Sequence, residues 1–206
     1  MGLVLIVTGT PGTGKTLIAK KLASILGLRY LNLLDYILER GLAERYDEER
    51  KSWEVDTEKV RRFLHSDITT TRNIIVDSLI PDILFNDDVD FVIVLRTDPL
   101  VLAKRLIARG WSLEKIIENV EAELIGVCLS EALDWYDEEK VIEIDTTEGT
   151  PSDICHDIAG LIRRKVVRRQ GWIDWTLKYP DPFELRSLIR EVYEESSVIS
   201  NSSSPS

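Results

Sequence analysis

Eight residues near the amino end, Gly9-Thr10-Pro11-Gly12-Thr13-Gly14-Lys15-Thr16, fit the spacing G-x-x-x-x-G-K-[ST]. The chemistry this spacing can do is phosphate binding. Glycines let the backbone turn tightly and aim N–H groups at phosphate oxygens, and a following helix adds the positive end of its dipole. In such a loop Lys15 reaches the β- and γ-phosphates of a nucleoside triphosphate, and Thr16 ligates Mg²⁺. A plain strand–turn–helix corner needs a glycine or two, but no lysine pointing into its own concavity.

Three further positions could join that chemistry. Asp77 follows the apolar run Ile74-Ile75-Val76 and fits the second nucleotide motif, an acid that holds Mg²⁺ through water. Taken alone, it also fits a turn that ends a strand. Arg105 and Arg109 lie four apart, one turn of a helix, just before Gly110. Arginines beside a glycine hinge can close over a transferring phosphoryl group, although the dipole also favours a solvated basic helix end. Asp35 sits just past a second strand, where it could hold a second substrate, cap a helix, or do both.

These residues need elements to position them. Leu3–Thr8 reads as a buried parallel strand, Gly9–Gly14 as a loop, and Thr16–Leu26 as a helix that Gly27 stops. Strands follow at Tyr30–Leu33, Asn73–Asp77, Phe91–Leu95 and Val141–Ile144. Helices are predicted over Asp35–Arg40, Thr57–Ser66, Pro99–Arg109 and Glu184–Glu195. Trp111–Tyr136 reads as one long helix, because its apolar residues recur at i, i+3, i+4 and i+7. Glu44–Glu58 reads as a polar, irregular stretch, too long for a plain connector, which suggests a functional insertion. Strands alternating with helices predict an α/β fold around a parallel sheet.

Composition narrows the class. The chain has 206 residues, 44% of them hydrophobic and 30% charged, which allows one compact domain with a short appendage. A net charge of −10 argues against a surface coated in nucleic acid, while leaving room for a local basic patch. No apolar run approaches the ~20 residues of a membrane span, so a cytoplasmic location is the default expectation. Cys128, Cys155, His65 and His156 lack zinc-ligand spacing, and Cys128, Cys155 and His156 read as packing residues.

Near Ile162 the composition changes. Arg163, Arg164, Lys165, Arg168 and Arg169 form a basic cluster with no acid among them. It could bind RNA phosphates or be a solvated helix end against an acidic body. Trp172, Trp175, Tyr179 and Phe183 follow, and docking on the core explains them better than stacking on bases. Residues 162–195 thus read as a basic and aromatic helical extension, and the Ser-rich 196–206 as a disordered tail.

The absence of an N-K-x-D motif argues against an ordinary GTPase, and the short length with no signature Ser-Gly-Gly stretch argues against a transporter ATPase. Several stretches then fall in a familiar order: Gly9–Thr16, Tyr30-Leu31-Asn32 with Asp35, Tyr46-Asp47-Glu48-Glu49, Val76-Asp77, Leu95-Arg96-Thr97-Asp98, Arg105 to Ser112, and Glu118-Asn119 with Glu121. Over about residues 1–160 the chain resembles the small, atypical adenylate kinases of archaea and eukaryotic nuclei, which also serve in small-ribosomal-subunit assembly. The resemblance implies a P-loop domain over 1–161 with a five-stranded parallel sheet flanked by helices. It further implies an AMP-side insertion at about 32–55 and a lid at about 108–118. Gly12, Gly14, Lys15, Thr16 and Leu17 would contact ATP, and Arg109 would bind its phosphates from the lid. Catalysis would rest on Lys15, Arg109 and Asp77, Mg²⁺ on Thr16 and Asp77, and the substrate on Asp35 and Arg105. The partners implied are ATP and AMP, with a platform ribosomal protein of the small subunit and rRNA through 162–183.

Two positions depart from that family. Where it usually has Asp-x-His after the third strand, with the His tied to ATP hydrolysis, this chain has Asp77-Ser78-Leu79. Leucine can neither orient water nor pass a proton. Where the family often carries an Arg in the first AMP-side helix, this chain has Leu38.

Overall fold

The computed structural model describes residues 2–48, 52–164 and 171–202, with the side chains of 197–202 excepted. Its centre is one parallel sheet of β1 (Val4–Gly9), β2 (Arg29–Asn32), β5 (Ile74–Asp77), β6 (Phe91–Arg96) and β7 (Val141–Asp145), in the order β2-β5-β1-β6-β7. Continuous apolar runs form the central strands β1, β5 and β6, because both faces of the sheet are covered there, whereas edge strand β2 is half-exposed. Val4 and Ile6 point to the face covered by α2 (Leu33–Glu39), α3 (Thr57–Thr70) and α6 (Val127–Trp135). Leu5 and Val7 point to the opposite face, covered by α1 (Lys15–Leu26) and α7 (Pro151–Arg164).

A third apolar cluster lies outside this sandwich. Leu102 and Leu106 of α4 (Pro99–Ile107) meet Ile116 and Val120 of α5 (Leu113–Leu124), and Leu185 and Ile189 of α9 (Pro182–Ser202) close over them. The carboxy-terminal extension is therefore folded back on the body through this cluster. Short α8 (Trp175–Lys178) precedes α9, and Trp175 and Tyr179 pack at the margin of the same cluster.

Several sequence expectations need correction; of the aromatics expected to dock on the core, Trp172 and Phe183 are exposed. The helix expected over Trp111–Tyr136 is two helices, α5 and α6. Gly126 between them adopts φ 71°, and a Cβ there would stand 3.3 Å from the Arg96 guanidinium. A left-handed residue ends a helix whatever the apolar period on either side. The described residues of the stretch Glu44–Glu58 are mostly regular. β3 (Ala43–Asp47) and β4 (Ser52–Val55) pair as an antiparallel hairpin, with Tyr46 opposite Trp53 and their rings 5.1 Å apart. Only the Ala43–Val55 pair at its base packs against the core, so the hairpin shows none of the apolar alternation that marks a strand in sequence. The cap of α2 is Asn32 and not Asp35: the Asn32 Oδ1 accepts the Asp35 amide at 3.1 Å, and Asp35 is exposed in the first turn. The last helix runs through Ser202, beyond Glu195, into the stretch expected to be disordered.

The boundary expected at residues 161/162 falls inside α7, where Leu161 and Ile162 both belong to the core. Of the basic cluster, Arg163 and Arg164 close α7, whereas Lys165, Arg168 and Arg169 lie outside the described residues. Both cysteines are free thiols, Cys155 buried and Cys128 half-buried. Among the described residues no helix is long and apolar enough to cross a membrane.

Candidate active site

The loop after β1 runs over the carboxyl ends of the parallel strands and into α1, the position where open α/β sheets place their ligands. Gly12 serves close packing as much as turning. At Gly12, with φ 99°, a Cβ would stand 2.6 Å from Leu102 Cδ1 and 3.0 Å from Leu106 Cδ2. The loop thus rests directly on α4. Gly14 caps α1, and Leu17 is exposed on its first turn.

Lys15 is buried beneath the loop, and its Nζ donates to the Thr10 carbonyl at 3.1 Å. Burial lowers its pKa to about 8, against the pull of Cys128, Asp77 and Glu123 toward the charged form, while Arg109 pushes the same way as burial. A lysine held in so poor a solvent gains much from an arriving anion.

Thr16 and Asp77 meet across the floor. The Thr16 hydroxyl donates to Asp77 Oδ2 at 2.7 Å, although the two residues come from α1 and β5. The register that pairs Asp77 with Val7 of β1 brings the acid beside the end of the central strand. The same Oδ2 accepts the Tyr30 hydroxyl at 2.8 Å and Asn32 Nδ2 at 3.2 Å, both from β2. Burial, with Asp77 beside it, pushes the Tyr30 hydroxyl up to about 12, so it remains a donor at neutral pH. A hydroxyl and a carboxylate of this kind suit a hard divalent cation such as Mg²⁺. Among the described residues no group of three or more His, Cys, Asp and Glu side chains could hold a metal by itself.

The two arginines of α4 and its end are placed differently. Arg105 donates to the Thr97 hydroxyl at 3.3 Å and to the Thr146 and Thr147 carbonyls at 2.7 and 3.3 Å. Desolvation and the neighbouring Arg109 lower its pKa. Arg109 is exposed, just before Gly110 in the turn joining α4 to α5, and its charge is felt at both Lys15 and Arg105. The structure therefore brings Gly12, Gly14, Lys15, Thr16, Asp77 and Arg109 to one mouth, with Arg105 beside it. Asp35 and Leu38 stand on α2, and Leu79 lies exposed two residues beyond Asp77.

Sequence reasoning missed a buried polar group behind the loop. Glu123 of α5 is 1% exposed, and its Oε2 accepts the Thr10 hydroxyl at 2.6 Å. Its Oε1 accepts Arg96 Nε at 2.8 Å and the Thr97 amide at 3.0 Å, while Arg96 Nη1 reaches Glu143 at 2.7 Å. Burial raises the Glu143 pKa, with Arg96 pulling the other way. The signal was present: Glu123 falls seven residues after Ile116 and three after Val120, within the apolar stripe of α5. A charge on a buried stripe demands a partner.

Comparison with known proteins bears on this geometry. A family model described as an AAA domain matches residues 5–126. The chain is 44% identical over 179 residues to a protein of Thermococcus kodakarensis named "Putative adenylate kinase", covering 87% of this chain and 96% of that one. A protein of the same name from Pyrococcus abyssi is 43% identical, with 87% and 94% covered. Among solved structures, shikimate kinase from Acinetobacter baumannii in complex with shikimate superposes with a TM-score of 0.58 at 16% identity, covering 82% of this chain and 97% of that one. At that identity the likeness concerns the fold alone.

Proposed function

The chain belongs to the adenylate kinase family of these archaeal relatives, and from that premise we propose that it transfers the γ-phosphoryl group of ATP to AMP. One observation carries the reading: a buried Lys15 under a phosphate-binding loop, with the Thr16 hydroxyl 2.7 Å from an acid at the end of the neighbouring strand. In the reaction an oxygen of the AMP phosphate forms a bond to the γ-phosphorus. The bond from that phosphorus to the β,γ-bridging oxygen breaks, and two ADP result.

Each residue has a part in this reading. Loop amides and Lys15 bind the β- and γ-phosphates and stabilise charge as it shifts to the leaving oxygen. Thr16 and Asp77 would hold Mg²⁺, Asp77 through water, and Tyr30 and Asn32 fix the Asp77 carboxylate. The ion, when bound, neutralises charge on the phosphates. Arg109 closes from the lid over the transferring group. Arg105 serves the same wall, and Asp35 with the Ala43–Val55 hairpin lies on the acceptor side. Closure at Gly110 excludes water, which would otherwise compete with AMP for the phosphoryl group.

Incubating purified protein with Mg-ATP, with and without AMP, and separating the nucleotides tests this. ADP formed in twofold ratio to AMP consumed, and only when AMP is present, is the expected result. ADP and free phosphate formed without AMP would overturn it.

A second role, in small-ribosomal-subunit maturation through a platform ribosomal protein or rRNA, draws support from Arg163 and Arg164 at the end of α7 and from exposed Trp172 and Leu177 nearby. In this reading 163–169 meet phosphates. Replacing Arg163 and Arg164 with Ser in the full chain should lower RNA retention while leaving kinase turnover in place. Equal retention would dismiss it.

A further inference from the structure

Side chains of the carboxy-terminal arm reach two buried acids of the body, Glu123 and Asp98. Trp175 Nε1 donates to Glu123 Oε1 at 3.3 Å. Lys178 Nζ and the Tyr179 hydroxyl reach Asp98 Oδ2 at 2.6 and 2.9 Å, and the other oxygen of Asp98 caps the first turn of α4. Asp98 is 2% exposed, with Tyr179 half-buried and the Lys178 side chain reaching it from the surface. Around them the arm packs on α4 and α5, the two helices that flank the Arg109–Gly110 turn.

Glu123 stands between this arm and the phosphate-binding loop. One of its oxygens faces Trp175, Arg96 and the Thr97 amide, and the other holds the Thr10 hydroxyl. The same Thr10 offers its carbonyl to Lys15 Nζ at 3.1 Å and to the Thr13 amide at 3.2 Å. A single residue of the loop thus carries a bond toward the arm through its side chain and a bond to the phosphate-binding lysine through its backbone. In so dry a place the donors to one carboxylate are coupled: losing one shifts the carboxylate toward the rest.

We propose that Trp175 is a positioning residue of the nucleotide site, acting through Glu123 on Thr10, so that docking of the arm and binding of nucleotide strengthen each other. The proposal rests on the reading of residues 9–16 as a phosphate-binding loop, but not on AMP being the acceptor. Its rival is that Trp175 only fills space in the apolar cluster.

Trp175→Phe in the full-length chain separates the two, since it keeps a packed ring and removes the indole N–H. Binding of Mg-ADP, measured by titration calorimetry, should weaken about fivefold or more, the usual lower end of coupling between sites. Thr10→Val should weaken it too, and in that background Trp175→Phe should change nothing further. Linkage requires the reverse effect in the unaltered chain: saturating Mg-ADP should slow amide exchange of residues 171–179 by a similar factor. That measurement decides the matter if a variant fails to fold. Unchanged affinity in Trp175→Phe, additive losses in the double variant, or exchange indifferent to ADP would each overturn the proposal. A chain that binds ADP with this coupling yet does not phosphorylate AMP would overturn the kinase reading and leave this one standing. No ADP binding by the unaltered chain would remove the phosphate-loop reading that both rest on.

Discussion

The Tyr30 hydroxyl stands 2.8 Å from Asp77 Oδ2, on the same oxygen that accepts Thr16 at 2.7 Å. A strand at the sheet edge thereby steadies the acid at the centre of the site. Partners that orient a metal-binding carboxylate are worth about 10–100-fold in metal affinity or activity. Tyr30→Phe should therefore raise the Mg²⁺ concentration giving half-maximal turnover by about tenfold, with the melting temperature little changed. A Mg²⁺ titration at fixed ATP checks this, and an unmoved curve would remove Tyr30 from the site.

Lys15 sets function against stability. Burial lowers its pKa from the usual 10.5 to about 8, so the fold bears a penalty while the amine is charged. The penalty is full below pH 8 and fades as pH rises toward 10.5, where the unfolded chain also loses its proton. The shift corresponds to about 3 kcal/mol at most, part of it offset by the bond to Thr10. Lys15→Met should lower kinase turnover at least ~100-fold. In thermal melts without nucleotide it should raise the melting temperature at pH 7, and the gain should shrink by pH 10. A variant destabilised equally at both pH values would contradict this.

Arg109 is exposed, so its removal should leave the fold intact. Arg109→Ala should reduce kcat by about 10²-fold or more, as loss of a charge stabiliser does elsewhere. Steady-state kinetics beside a melting curve separates the effects, and near-normal kcat would end its role as the lid cation.

Leu79 is exposed two residues beyond Asp77, where the resembled family usually carries a His. Leu79→His restores a group that can orient water or pass a proton. Phosphate release from Mg-ATP in the absence of AMP should rise above the parent's level. A phosphate assay showing no rise would assign control of hydrolysis to another residue.

Gly126 sits at φ 71° with the Arg96 guanidinium 3.3 Å from where a Cβ would be. Gly126→Ala should cost about 1–3 kcal/mol, from backbone strain and disturbance of the buried Arg96–Glu123 pair. For a domain of this size that is a drop of several degrees in melting temperature. An unchanged melting curve would show that the break between α5 and α6 tolerates a side chain.

The sequence by itself determined the parts whose signals are local. Strands buried on both faces must be continuously apolar, so Val4–Val7, Ile74–Val76 and Phe91–Leu95 could be read directly. The loop at Gly9–Thr16 declares itself because glycines and a lysine at fixed offsets serve a local backbone shape. Tertiary structure decided what depends on residues far apart in the chain. Gly126 looks like any glycine in a helical pattern until Arg96 arrives from another strand to fill the space beside it. The hairpin of Tyr46 and Trp53 is held by cross-strand contacts that leave no one-sided apolar period. Glu123 falls on the apolar stripe of α5, a position that demands a partner without naming one. Only folding surrounds it with Thr10, Arg96, Thr97 and Trp175, whose donors make up for the water it loses.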